Sequence, residues 1–248
     1  MKRFLNFTAL AMAVFAIAVT LSSLLTPMQA VPGPILLSQN VNFKPPQDLT
    51  APGNREGATH RGEACPPDLS IIPLIPKSND GLTLGESPTF FAYVSPSATQ
   101  VEFTLQAPDE KGTEVYKTTF KVDKPGIVEV SIPPTGDRQK TLEIGQRYQW
   151  SFSVVCDRKD RSGDYFVYGT VQRIEPQETL KNVLANADPM ARAIAYAKNG
   201  IWYETIATLA QMRRLAPDDS GPRTEWTQLL QSQGLESIAD QPLVQSFE

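Results

Sequence analysis

Apolar and polar residues alternate with a period of two through much of residues 69–175. The clearest run places Tyr148, Trp150, Phe152, Val154 and Cys156 on one face, and Gln149, Ser151 and Ser153 on the other. Period two is the mark of a half-buried strand, whose side chains point in and out in turn. Just upstream, Leu142, Gly145 and Tyr148 stand three residues apart. That is the spacing of a tyrosine corner, in which a Tyr entering the penultimate strand of a sandwich bonds back to the preceding loop. Six more short segments carry strand patterns: Leu69–Ile75, Pro88–Val94, Val101–Leu105, Glu114–Val122, Gly126–Ile132 and Tyr165–Ile174. Val101, Phe103 and Leu105 form one inward face. In the next segment Val115, Lys117 and Thr119 oppose Tyr116, Thr118 and Phe120. In the fifth, Val128, Val130 and Ile132 oppose Ile127, Glu129 and Ser131. Short strands with turn residues between them, and no helical pattern, predict an immunoglobulin- or fibronectin-III-like β-sandwich over residues 69–175.

After Pro176 the period lengthens. Ala191, Ile194, Ala195 and Lys198 begin a helical spacing, and Ile201, Thr205, Ile206, Leu209, Ala210 and Met212 continue it until Pro217. Thr224–Gln233 and Leu235–Asp240 add a short helix and a tail. Residues 176–248 are therefore read as a small α-helical region, which makes the fold mainly β with α. Tyr196, Gly200, Trp202, Leu209, Met212 and Pro217 fall at spacings similar to one tetratricopeptide unit. Thr205 and Arg192 depart from that pattern, and no second unit recurs at the right period. The reading is a single helical hairpin with a packing helix. A region of about 70 residues with so little apolar content makes a marginal core, so it should pack on the sandwich.

The N-terminus has a different grammar. Lys2 and Arg3 precede an apolar run from Ala9 to Leu25, and Thr26–Ala30 offers a polar, small-residue cleavage region. Residues 1–30 therefore read as a secretory signal peptide, with cleavage near Ala30 and no membrane span afterwards. This predicts a periplasmic or secreted protein. Residues 31–68 form a proline-rich lead-in: nine of the twenty-one prolines lie within 31–80. Proline removes backbone donors and favours extended chain, so this segment should run irregularly, with Val31 to about Gln47 mobile. Lys2 and Arg3 are the leader's only charges, so cleavage moves the net charge from −4 to −6. An acidic chain is poorly suited to nucleic acid, which demands clustered Lys and Arg.

Cys65 and Cys156 are the only cysteines. In an exported chain two cysteines most simply form one disulfide. A strand of nine residues spans about 26 Å, so Cys156 lies at the opposite end of the sandwich from the tyrosine corner. The bond should then staple the 54–65 loop beside the 157–164 hairpin rather than cross the sandwich core.

Candidate binding residues follow from charge and aromaticity. Arg55 and Arg61 could grip a carboxylate or phosphate with two parallel hydrogen bonds, although Glu56 and Glu63 are ready partners for them. Asp157, Asp160 and Asp164 could offer oxygens to a cation, but Arg158, Lys159 and Arg161 stand among them and would repel it. No metal and no cofactor are expected. Trp202 and Tyr203 open the main helix and could anchor an interface, though a seam between helix and sheet uses such residues more often. GxSxG, phosphate-loop, HExxH and CxxC motifs are absent, and His60 is the only histidine, in the proline-rich lead-in. The chain therefore reads as a non-enzyme.

Three stretches, PPQDLTAPGNREGATHRGEAC, LEIGQRYQWSFSVVCDRKDRSGDYFVYGTVQRIE and GIWYETIATLAQMRRLAP, together resemble a cyanobacterial family of secreted proteins known as domain of unknown function 928. The resemblance covers nearly all of residues 43–243. It implies export and a shared domain layout, and transfers no activity and no catalytic residue. Ala58-Thr59-His60 departs from the glycine-rich form of that motif. The expectation is an exported non-enzymatic binding or scaffolding protein with a protein partner in the cell envelope. The alternatives are a module for carbohydrate or envelope polymer and a hydrolase with a carboxylate pair. An exposed apolar patch near Trp202 would favour the first. Solvent-facing aromatics such as Tyr116, Tyr165 or Tyr168 would favour the second, and two close carboxylates in a cleft the third.

Overall fold

The computed structural model describes residues 40–47, 51–58, 65, 68–95, 99–133 and 141–247. The signal peptide read over residues 1–30 lies outside them. In chain order the strands are β1 (Asn54–Ala58), β2 (Ser70–Pro73), β3 (Asp80–Thr83), β4 (Thr89–Ser95), β5 (Thr99–Gln106), β6 (Glu114–Val122), β7 (Gly126–Ser131), β8 (Arg147–Val154) and β9 (Tyr165–Arg173). Four helices follow, α1 (Glu178–Asn186), α2 (Pro189–Lys198), α3 (Trp202–Leu215) and α4 (Ser220–Ser232), and then β10 (Leu243–Phe247). The fold is mixed α and β with two sheets, and all seven segments read as strands contain one.

Sheet 1 runs β1-β9-β8-β5-β6, with β3 also pairing along β9. Sheet 2 runs β10-β7-β4-β2. The two sheets face each other over their alternate apolar residues. Tyr148, Trp150, Phe152 and Val154 of β8 are buried, as are Val101, Phe103 and Leu105 of β5. From sheet 2, Phe90 meets Phe103 at 4.9 Å and Trp150 at 5.7 Å between ring centroids. In β6 the inward set is Tyr116, Phe120 and Val122, with Lys117, Thr119 and Lys121 exposed. The Tyr148 hydroxyl accepts a hydrogen bond from the Glu143 N–H at 3.1 Å. Gly145 supports the turn with φ +82, a conformation costly for any residue with a Cβ.

Both faces of sheet 2 are covered. Phe91 and Ile127 point away from sheet 1 yet are buried, and Phe91 meets Trp226 of α4 edge-on at 6.4 Å. Glu129 on the same face forms an ion pair with Arg214 of α3. Thus α2, α3 and α4 form a third layer that shares a core with the strands, while Leu180 of α1 packs with Ala195 and Ile201 in a smaller cluster.

The helical layer is keyed into the sandwich at the start of α3. Tyr203 lies against Phe90, with centroids 5.2 Å apart. Its oxygen accepts from the Trp150 indole N–H at 2.7 Å, and its O–H donates to the Thr170 carbonyl at 3.0 Å. Burial holds this hydroxyl well above its ordinary pKa. Gly81 is required here, because a Cβ would come within 2.7 Å of the Tyr203 ring. One residue on, Glu204 clasps the turn after β3: its Oε1 accepts from Thr83 Oγ1 at 2.7 Å, Leu84 N at 2.8 Å and Gly85 N at 2.9 Å. Its Oε2 is buried with no hydrogen-bond partner among the described residues. Burial outweighs these donors and raises the Glu204 pKa. Asp80, also buried, has its charge compensated by Arg147 Nη2 at 3.1 Å without hydrogen-bond alignment.

Several elements differ from expectation. The strands β1, β3 and β10 carry no clear period, and helix α1, where Leu180, Val183 and Leu184 stand at helical spacing, was not picked out from the sequence. The lead-in is not loose over its described part: Val41 and Phe43 are buried, and the Lys44 N–H donates to the Ala197 carbonyl at 3.0 Å. Phe43 packs edge-on against Trp202 at 5.0 Å. Two apolar residues among polar ones are enough to fasten an extended strap to a helical surface.

Two measurements test this seam. Tyr203→Phe leaves the Trp150 N–H without an acceptor and the Thr170 carbonyl without that donor, so urea denaturation should show a loss of about 1–3 kcal/mol. A wild-type midpoint would mean that the relay contributes nothing. Glu204 has a folded pKa above its unfolded value, so the folded state binds the proton more tightly. Its contribution is full below the unfolded pKa and is lost as pH rises through the folded one. Relative to Glu204→Gln, the wild type should therefore lose stability as pH is raised upward from the ordinary glutamate range through the elevated folded-state pKa. A difference that stays flat over that range rejects the assignment.

Candidate functional site

The outer half of the same alternation builds the candidate surface. On β8, Gln149, Ser151 and Ser153 point away from the core. Each lies opposite a residue of β9, namely Thr170, Tyr168 and Phe166, and opposite one of β5, namely Gln106, Thr104 and Glu102. On β6, Lys117 lies opposite Thr104 and Thr119 opposite Glu102. None of these side chains is buried. The result is a pleated face of hydroxyls and amides with one aromatic pair: the Phe166 and Tyr168 rings are 6.1 Å apart and tilted by 32°.

Charge gathers at one end of this face. Glu102 receives Lys117 Nζ and Arg161 Nη2, each at 3.1 Å, and Arg161 also pairs with Asp164. Partial burial works against the Glu102 carboxylate, but these hydrogen bonds prevail and hold its pKa below the ordinary value. Asp164 and Glu102 in turn hold the Arg161 guanidinium protonated. Arg158 donates to Gln100 Oε1 at 2.6 Å from Nη2 and 3.0 Å from Nε.

The aspartates of the 157–164 loop do not converge. Asp160 accepts from the Ser162 hydroxyl at 2.6 Å and its N–H at 3.0 Å, which lowers its pKa and caps the short 3-10 turn Arg161–Gly163. Asp157 accepts from the Lys159 N–H at 2.8 Å. Asp164 accepts from the Cys156 N–H at 3.2 Å. Each carboxylate is used by its own turn, and no group of three potential ligands able to hold a metal occurs among the described residues.

The staple is where the spacing argument puts it. Cys65 and Cys156 are disulfide-bonded, 91 residues apart in sequence, with Cα atoms 5.0 Å apart. The Cys65 sulfur also touches the Gly163 carbonyl oxygen at 3.4 Å, a packing contact because a disulfide sulfur carries no proton. The bond therefore holds the segment after β1 against the loop that joins β8 to β9.

The other expected residues are used differently. Arg55 Nη2 donates at 2.7 Å to the Gln233 carbonyl, at the C-terminal end of α4, where a cation offsets the helix dipole. Arg61, its expected companion in an anion grip, and His60 lie outside the described residues. Trp202 and Tyr203 are buried, and the Trp202 indole N–H donates to the Leu74 carbonyl at 2.9 Å. They form the seam between helix and sheet, and the exposed patch sought near Trp202 is not present there. Tyr116 faces the core, Tyr165 packs at its margin, and Tyr168 stands on the open face. Phe166, Ser151, Ser153 and Thr104 were not singled out from the sequence. Their signal was the polar half of an alternation read only for its apolar half.

A family model described as Domain of Unknown Function (DUF928) matches residues 56–243, so the chain belongs to that family. The matched span crosses the sandwich and the helices alike. No curated protein and no solved structure matches the chain.

Reduction of the disulfide, or Cys65→Ser with Cys156→Ser, should lower the unfolding free energy by about 2–4 kcal/mol in denaturant titrations. Equal stability of oxidised and reduced protein would show that the staple only shapes the loop.

Proposed function

We propose that this chain is an exported, non-enzymatic binding protein of the cell envelope, and that its ligand lies on the open face of sheet 1. The observation that carries this is the face itself: one side of the sandwich is roofed by helices, while the other presents hydroxyls, amides and the Phe166–Tyr168 pair to solvent. Export is supported by the leader pattern of residues 1–30 and by a disulfide, which persists in oxidising compartments. A carbohydrate or other hydroxylated envelope polymer suits this chemistry best. Sugar rings stack on aromatic rings, and Ser151, Ser153, Thr104 and Gln149 supply donors and acceptors along the strands.

The fold reading supports a binding role. The order β2-β4-β7 facing β6-β5-β8-β9 follows the A-B-E and C′-C-F-G strands of an immunoglobulin- or fibronectin-like sandwich, and Tyr148 sits in the penultimate strand. The α2–α3 pair turns at Gly200, φ +72, as a hairpin of the tetratricopeptide kind would. A hydrolase is less well supported: Glu102 is held below its ordinary pKa, the reverse of what a general acid needs.

A protein partner remains the second reading, on a different surface. Leu180, Val183 and Ile194 line an apolar groove of about 430 Å³ between α1 and α2, and Val183 is 52% exposed.

Co-sedimentation with purified envelope polysaccharide separates the two. The protein should bind, Tyr168→Ala should weaken binding about three- to tenfold, and Val183→Glu should leave it unchanged. Full binding by Tyr168→Ala, or loss only with Val183→Glu, removes the open face as the site.

A further inference from the structure

A second site lies at the far end of the helical layer and does not rest on the open-face reading. Arg213, Arg214 and Arg223 converge on a pocket of about 230 Å³ between the end of α3 and the start of α4, closed by Asp219, Pro217 and Leu243. The three arginines are not equivalent. Arg214 is neutralised by Glu129. Among the described residues Arg223 donates only to the Pro217 carbonyl, at 3.0 Å. Arg213 lies over the Trp226 ring, 4.8 Å from its centroid, and its Nη1 is buried with no acceptor among the described residues. Neither Arg213 nor Arg223 has a carboxylate within ion-pair range among the described residues. The nearby charge of Asp240 acts on Arg213 only at longer range, and burial together with Arg223 makes its protonated state less comfortable.

The charge balance favours an anion. Asp219 contributes one negative charge, but its Oδ1 is occupied in capping α4 through the Gly221 N–H at 2.8 Å. The end of α3 contributes about half a negative charge and the start of α4 about half a positive one, so the two helix ends cancel. Arg213 and Arg223 outnumber Asp219 in the pocket lining by one charge, which Asp240, acting on Arg213 at longer range, partly offsets. Stacking on Trp226 fixes the Arg213 guanidinium in advance, so little side-chain entropy is lost when an oxyanion docks.

We infer that this pocket binds a single phosphate-type oxyanion between Arg213 and Arg223. Planar guanidinium groups offer paired N–H donors that match phosphate oxygens. The apolar walls, Pro217 and Leu243, leave room for a small organic body attached to the phosphate.

The test is calorimetric titration of the mature chain with inorganic phosphate at low ionic strength, with sodium chloride and sodium acetate as matched controls. Saturable phosphate binding is expected, with a change in tryptophan fluorescence because Arg213 stacks on Trp226. Arg223→Gln should weaken binding about tenfold or more. Arg213→Lys, which keeps the charge but loses the fork, should also weaken it. Lys181→Gln, on the exposed side of α1, should bind as the wild type does. Heat no greater than chloride gives, an equal response to acetate, or unchanged affinity in Arg223→Gln would each overturn the assignment. Arg223 is exposed, so its variant reports on binding without disturbing the core.

Discussion

The structure depends on one buried relay, Trp150 to Tyr203 to Thr170. It joins the inner face of sheet 1 to the first turn of α3, through the space between the two sheets. Three polar groups that would each be costly to bury satisfy one another there. The relay also explains its neighbours. Gly81 gives way to the Tyr203 ring, β3 is held in parallel along β9, and Glu204 seizes the turn that follows. Beside that key the helices hold sheet 2 through apolar contact, the Arg214–Glu129 ion pair and the Trp202 bond to the Leu74 carbonyl.

The key also decides which surface is left over. Helices α3 and α4 cover sheet 2, so Phe91 and Ile127 could become apolar on its outer side. Among the described residues sheet 1 has no such roof, and its outer positions are Ser, Thr, Gln, Lys and Glu102, with Phe166 and Tyr168 as the aromatic exceptions. The ionic chain Lys117–Glu102–Arg161–Asp164 closes this face at the end stapled by the disulfide.

Much of the sandwich was legible because burial on one face writes a period of two. The run from Tyr148 to Val154 shows this, and the tyrosine corner could be read from three residues. What was not legible depends on distant partners. Asp80-Gly81-Leu82-Thr83 is too short and too glycine-bearing to announce a strand, and it becomes one only because Tyr203 packs on it. Leu243–Phe247 pairs with Gly126–Ser131 across more than a hundred residues, which no local pattern reports. Val41 and Phe43 looked like isolated apolar residues in a proline-rich stretch until the helices supplied a surface. Of the candidate residues, Trp202 and Tyr203 were readable as a seam between helix and sheet, the commoner use of such a pair, and both are buried there. The arginine pocket joins two helix ends and a strand end, so its residues become neighbours only in space.

The return of the chain to β10 has a consequence for how the protein is made. Strand β10 lies in parallel beside β7, and Phe247 stacks on Phe120 with centroids 3.9 Å apart. The edge of sheet 2 is therefore bare until the segment beyond the helices has emerged. A chain leaving the ribosome cannot complete its sandwich first and add helices later. Long-range closure of this kind slows folding and delays commitment to the native state. Under the proposed export, in which the chain would stay unfolded to pass a membrane channel, late closure would be an advantage, since the strand that seals sheet 2 follows the helices.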